Sequence, residues 1–358
     1  MSSLGSPNPL LFGAAKDYEI ERSLRFNKSD NARLNRTPSS ASNRKTWTFS
    51  CWVKLGNTGV NSDNNTGNGV VFSSGPTGSG TNFGLRITNN GFIGIDYDGI
   101  GGYYSSGKLR DPSAWYHCVW RMDTTDSTAA NRLKVYVNGE LFYNNQMSLS
   151  QDESTPINNN AEHTLGVYSY NQTHNYTFDG YLAEVNFVDG TALDASSFGE
   201  TNTDTGQWIP KKYAGSYGTN GFYLNFSDNS GTSATTLGKD SSGNGNNWTP
   251  TNFSVSAGVG NDSVTDTPTN NYATLNPLYP NGTEAPGTIS DGNLKFVGSG
   301  YEYAMCPSTM TIQNGKYYWE VKHGGGSYLT VGIIRGTSCG ADCYISYDPN
   351  GNVFGIGY

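Results

Sequence analysis

Apolar and polar residues alternate with a period of two along much of this chain. In TWTFSCWVK, residues 46–54, Trp47, Phe49, Cys51 and Val53 fall on one side of an extended backbone, with Thr46, Thr48, Ser50, Trp52 and Lys54 on the other. That is the pattern of a strand with one face in a core and the other wet. On this reading the second tryptophan of each strand pair, Trp52 and Trp120, falls on the mixed face, where core packing is the expected role, ahead of lining the concave sheet or covering a loop. Similar short runs recur as LRF (24–26), GVVFS (69–73), FGLRI (83–87), FIGIDYD (92–98), AWYHCVWRMD (114–123), RLKVYVNGE (132–140), HTLGVYSY (163–170) and YLAEVNFVD (181–189). Turn sequences such as Asn89-Asn90-Gly91, Asn138-Gly139 and Asp189-Gly190 separate them, and Asn-Gly between apolar runs is a strong hairpin signal. The spacing predicts an all-β chain built on an antiparallel β-sandwich of two sheets.

The same opening occurs twice. SLRF leads to TWTFSCWVK, and NLKF leads, at a similar distance, to KYYWEVK, as when two sandwiches begin in one chain. Residues 1–20, with Pro9, Leu10, Leu11 and Phe12, hold too little apolar surface for a core and read as an anchoring arm. Residues 21–205 carry the first sandwich. Residues 206–287 read as an extended Gly-, Ser- and Asn-rich connector containing one good strand, GFYLNFSD (221–228), with Trp248, Phe253 and Tyr272 as anchors on a neighbouring surface. Strands resume at 288–358 in LKFV, KYYWEVKH, YLTVGIIRG and CYISYDPNGNVFGIGY. This stretch is short for a two-sheet domain, so a longer native chain or completion by another chain is expected.

Composition changes this picture in one respect. With 46 Gly and 24 Tyr, and charged residues at only 15%, solubility rests on amides and hydroxyls rather than ionic groups. The formal net charge of -8 is spread without basic clusters, which argues against nucleic acid and anionic membrane as partners. The first 23 residues lack the basic and apolar regions of a secretory leader, so ordinary export is not expected. The five cysteines show no paired C-x-x-C spacing; Cys51 and Cys118 sit in strands, where a small buried hydrophobe is the expected role. The histidines, His117, His163, His174 and His323, are scattered, so spacing proposes no zinc or triad cluster.

TWTFSCWVK, AWYHCVWRMD, LKVYVNGELF and FDGYLAEVNFVDGTALDASSFGE together resemble the laminin-G and concanavalin A-like jelly-roll superfamily over about residues 20–205. GKYYWEVKHGGGSYLTVGIIRG and CYISYDPNGNVFGIGY resemble the opening half of a SPRY domain. The order of these modules, with GKDSSGNGNNWT and TDTPTNNYATLNP between them, is similar to structural proteins of tailed marine bacteriophages. The resemblance implies a non-enzymatic virion protein, assembled in the host cytoplasm and then extracellular, such as a tail fibre module that adsorbs to host glycans. Implied partners are other virion proteins held through the arm, host surface polysaccharide and further copies of the chain, a trimer being one arrangement. A decoration protein without glycan affinity is the alternative within that class.

Some concanavalin-like sandwiches hydrolyse polysaccharides, which makes a depolymerase the alternative of a different class; it requires two convergent carboxylates. The E-x-D-x-E strand signature is absent. Asp96 and Asp98 share a strand face but precede a turn, and read as a solvated strand end; Glu184 has Asn186 where a second acid would be needed. No cofactor is expected. Calcium, which relatives hold near the sheet rim, has a weak candidate in Asp179, the one carboxylate of loop 166–180, beside Asn171, Gln172 and Asn175. The same loop gathers Tyr168, Tyr170, Asn171, His174 and Tyr176, and GIGGYYSSGK exposes Tyr103 and Tyr104. Aromatic faces beside amide donors suit sugar rings, so these residues are the candidate glycan contacts. Loop packing or subunit contact is the competing role for tyrosines of this kind.

Overall fold

The computed structural model describes residues 18–56, 69–75, 81–88, 90–144, 149–170, 173–278, 287–298, 306–325, 330–334 and 353–357. The expected arm at Pro9, Leu10, Leu11 and Phe12 lies outside them. The strands are β1 (Ser23–Phe26), β2 (Arg33–Arg36), β3 (Thr46–Leu55), β4 (Gly69–Gly75), β5 (Phe83–Ile87), β6 (Phe92–Tyr97), β7 (Gly101–Lys108), β8 (Trp115–Asp123), β9 (Leu133–Val137), β10 (Glu140–Asn144), β11 (Glu162–Leu165), β12 (Tyr168–Tyr170), β13 (Thr173–Asn175), β14 (Gly180–Asp189), β15 (Gly199–Thr201), β16 (Trp208–Pro210), β17 (Phe222–Leu224), β18 (Thr249–Thr251) and β19 (Ser263–Val264). Within ALDASSFGE lies a single turn of 3-10 helix at Ala195–Ser197.

Two antiparallel sheets face each other. One has eight strands in the order β10-β9-β8-β3-β14-β1-β19, with β17 also paired to β14; the other has seven, β18-β2-β11-β4-β5-β6-β7. The core between them takes the inward half of each alternation: Trp47, Phe49, Cys51 and Val53 from β3, Phe83, Leu85 and Ile87 from β5, Ile93 and Ile95 from β6. Stacked Phe49 and Phe72, 4.8 Å apart, link the sheets. Trp120 packs in the core as expected, but from the inward face rather than the mixed one. It points into this core, fully buried, and its indole N–H donates to the Gly94 carbonyl across the sandwich.

The outward face of the eight-stranded sheet, expected to be wet, is covered. Every residue of β3 after Thr46 is buried, because segments 18–22, 193–217, 262–278 and 287–293 lie over that side of the sheet. Trp52, Trp115, Tyr181 and Ala183 form a second apolar cluster there with Ile20. Fully buried Lys54 donates to Asp266 at 2.7 Å, to Asn271 at 2.8 Å and to the Tyr272 carbonyl at 2.6 Å. Arg25 pairs with Asp262 at 3.0 Å, and the Tyr181 hydroxyl donates to the Gly292 carbonyl at 2.5 Å. A buried cation is tolerated only when donors and charge are both matched, and this wrap matches them.

The stretch expected as a connector therefore belongs to the sandwich. β17, β18 and β19 extend the two sheets, and Phe222, Leu224, Phe226, Leu237 and Trp248 are core residues. The anchors divide: Trp248 is 1% exposed and Phe253 packs on the core, whereas Tyr272 is 46% exposed and is held by its backbone. Low strand density is a poor guide here because isolated strands of two or three residues extend the sheets without long alternating runs.

Beyond residue 287, β20 (Thr288–Ser290) pairs with β21 (Lys295–Val297), and β22 (Thr330–Ile334) with β23 (Val353–Gly357). KYYWEVKH, expected as a strand, is irregular and exposed, with Tyr318 83% and Trp319 48% accessible. A strand needs a neighbouring edge for its backbone groups, and none of the described residues supplies one to it.

Candidate functional site

The outward face of the seven-stranded sheet is where side chains with chemistry converge. On β5, Phe83, Leu85 and Ile87 go inward, which sends Gly84 and Arg86 outward; on β6, Ile93 and Ile95 inward leaves Gly94 and Asp96 outward. The ladder sets Gly84 opposite Asp96, Arg86 opposite Gly94, Asp96 opposite Gly102, and Gly94 opposite Tyr104. Glycines thus alternate with functional side chains across the sheet. A Cβ on Gly94 would fall 2.8 Å from Tyr104, one on Gly102 would lie 2.5 Å from the Asp96 carboxylate, and one on Gly84 would meet the Tyr168 ring at 2.9 Å.

The β12–β13 hairpin folds against this surface, with a backbone bond from Val70 N–H to the Tyr176 carbonyl at 3.0 Å. It brings Tyr168 and Tyr176 over Arg86, whose guanidinium carbon lies 4.9 Å and 4.7 Å from the two ring centroids. The rings meet edge to face at 6.1 Å. Arg86 is 4% exposed, and its Nε lies 2.6 Å from Asp96 Oδ2. That Nε has no aligned hydrogen-bond acceptor, so the contact is an ion pair rather than a directed hydrogen bond. Asp96 Oδ1 accepts from the Tyr104 hydroxyl at 2.6 Å. One turn on, Asp98 accepts from the side chain and backbone N–H of Asn82 at 2.6 and 3.2 Å and, at 3.4 Å, from the Tyr168 hydroxyl. Burial and the adjacent carboxylates push the phenols of Tyr104 and Tyr168 well above the ordinary tyrosine value, so both stay protonated and donate.

These groups line an open cavity of about 500 Å³ bounded by Arg86, Asp96, Asp98, Tyr168, Tyr176 and the glycine turn at Gly99–Gly102, within the size range of small-ligand sites. Tyr176, 38% exposed, is the ring that faces solvent. The backbone at Tyr176 is left-handed (φ 53°), an unusual cost for a bulky residue that recurs at ligand sites.

Of the candidate glycan contacts, Tyr104, Tyr168 and Tyr176 are brought together here. Tyr103 is not: GIGGYYSSGK, expected to expose both tyrosines, is strand β7, and its alternation packs Tyr103 against the core with its hydroxyl on the Ile100 carbonyl. Asn171 and the side chains of Tyr170 and His174 lie outside the described residues. Asp179, the calcium candidate, accepts from Gly56 N–H through its carbonyl at 3.0 Å, and among the described residues no three His, Cys, Asp or Glu side chains converge. Its companions Asn171, Gln172 and Asn175 fall outside the described side chains. Sequence reasoning missed Arg86 and Asn82, and set Asp96 and Asp98 aside as a strand end. The available signal was glycine two residues before each charge, Gly84 before Arg86 and Gly94 before Asp96.

A family model of laminin-G type, described as the concanavalin A-like lectin/glucanases superfamily, matches residues 26–197. No curated protein matches the chain. Among solved structures it is similar to a native heptameric SAP-like pentraxin from Limulus polyphemus, at 13% identity, 49% of this chain, 79% of that one and a TM-score of 0.37. It is also similar to the CBM40 of the Ruminococcus gnavus IT-sialidase, at 17% identity, 50% of this chain, 92% of that one and a TM-score of 0.33.

Proposed function

Starting from a concanavalin A-like domain at residues 26–197, we propose that this chain is a non-catalytic glycan-binding protein that serves as a tail or surface fibre module of a phage particle. The Arg86–Asp96–Asp98 cavity with its tyrosines carries the glycan reading. It offers fixed acceptors for hydroxyls and one exposed ring, Tyr176, on the β6–β7 side of the seven-stranded sheet. Each carboxylate is held by its own protein donors, an arrangement for holding a ligand still rather than for passing a proton to it.

The phage assignment rests on the order of modules along the sequence. In that setting residues 1–20 join the chain to other virion proteins, residues 288–358 extend it as a SPRY-like sandwich, and a homo-oligomer presents several cavities to one cell. Weak single-site affinities then multiply, since a second linked binding event is intramolecular. The exposed aromatic run at Tyr318 and Trp319 favours a second reading, a decoration module whose aromatics bind a neighbouring subunit.

A glycan array probed with the full chain and with Tyr176→Asn separates these. Asparagine tolerates the left-handed backbone, so the variant removes the ring while sparing the turn. Retention of some glycans by the parent and their loss in the variant is the expected result. No retention by either chain supports the decoration role. Release of reducing ends from host polysaccharide would instead establish a depolymerase.

A further inference from the structure

The charge inside the cavity restricts which glycans it can take. Arg86, the one cation among the described lining residues, is occupied: Asp96 Oδ2 lies 2.6 Å from its Nε, and the faces of Tyr168 and Tyr176 cover its guanidinium carbon. Asp98 contributes a second carboxylate, tied to Asn82 and Tyr168, neither of them charged. The phenols are held protonated and donate inward, Tyr104 to Asp96 and Tyr168 to Asp98. One guanidinium against two carboxylates leaves the described lining with one surplus negative charge, within a chain whose formal net charge is -8.

We infer that this cavity selects neutral or amino sugars and rejects acidic ones. The inference rests on the glycan reading above and narrows it. An incoming uronate or sialate would have to displace Asp96 from Arg86 and leave a carboxylate without its cation, and like charges juxtaposed at a binding site suppress the wrong ligand. A neutral pyranose has no such conflict. Its hydroxyls donate to the unused lone pairs of Asp96 and Asp98, charge-assisted bonds roughly twice as strong as neutral ones, while its apolar face lies on Tyr176. A protonated amino group gains further from the surplus negative charge. The acidic pair set aside in the sequence as a strand end thus becomes the discriminating element.

The test is calorimetric titration of the full chain, and of Asp96→Asn, with neutral, amino and acidic members of each glycan series. Asparagine keeps an acceptor for the Tyr104 hydroxyl but releases Arg86 from its ion pair. The parent is expected to bind the neutral or amino member at least tenfold tighter than its acidic counterpart, and Asp96→Asn to close or invert that ratio. A parent that prefers acidic glycans, or a ratio unmoved in a variant whose unfolding temperature matches the parent, overturns the inference and leaves the glycan reading standing. Silence across every glycan class removes both.

Discussion

At the scale of single residues, two buried histidines set the response to acid. His117 accepts from the Trp208 indole through Nδ1 at 3.0 Å, so its proton sits on Nε2, facing Ser50 Oγ at 2.9 Å. His163 accepts from the Asn158 N–H through Nε2 at 3.1 Å, so its proton sits on Nδ1 against the Ala161 carbonyl at 2.9 Å. Neither ring can gain a proton without losing a bond, and burial pushes them down to about 3 and about 4. Both values lie below the unfolded 6.5. The unfolded chain therefore takes up protons first, and stability present above pH 6.5 is lost as pH falls toward 4. Each histidine costs about 1.4 kcal/mol per pH unit in that window. Glu184 works the other way. Burial raises it above its unfolded value although Tyr18 and Tyr223 donate to its oxygens at 2.6 and 2.7 Å, so its protonation on acidification returns some stability. Urea unfolding from pH 7 to 4.5 is expected to show a net fall, which His163→Gln makes shallower. A flat profile would mean that these rings are not buried as neutral bases.

At the scale of elements, the glycines of β5, β6 and β7 are structural requirements of the site. Gly84→Ala presses a Cβ onto the Tyr168 ring at 2.9 Å, whereas Gly94→Ala meets the Tyr103 carbonyl at 2.1 Å. Ring contacts relax more readily than backbone, so thermal unfolding should show Gly84→Ala costing about 1–3 kcal/mol and Gly94→Ala more. Equal, negligible effects would contradict the checkerboard. How much of this the sequence disclosed follows from the same physics. Long alternating strands such as β3 and β8 were legible because their inward residues are uniformly apolar. β7 was not, since Gly101, Gly102, Ser105 and Ser106 give no alternation and only pairing with β6 reveals that Tyr103 and Tyr104 face opposite ways. The bulge in β14 was equally hidden. Register shifts between Ala183 and Asn186, with Glu184 at φ 50°, where the edge partner changes from β1 to β17. That switch depends on a strand some forty residues downstream.

At the scale of the whole molecule, one face of the sandwich is wrapped, and the other carries the cavity on its β6–β7 side. The wrap comes largely from residues beyond 205, whose Phe222, Leu224, Phe226, Leu237 and Trp248 complete the core. Each such side chain is worth roughly 1.5–3 kcal/mol of burial, comparable in sum with the stability of an entire domain. A chain ending at residue 205 should therefore fail to give a cooperative unfolding transition, while one ending at 298 should give it; cooperative unfolding of the shorter piece would show the wrap to be dispensable. The Arg86 cavity is left for ligand, and the proposed function depends on it. Crystals of the full chain soaked with a glycan retained on the array provide the most direct measurement. Sugar density stacked on Tyr176 and within hydrogen-bond reach of Asp96 and Asp98 is the expected result. Density at the sheet rim by Asp179, with the Arg86 cavity filled only by water, would contradict the account.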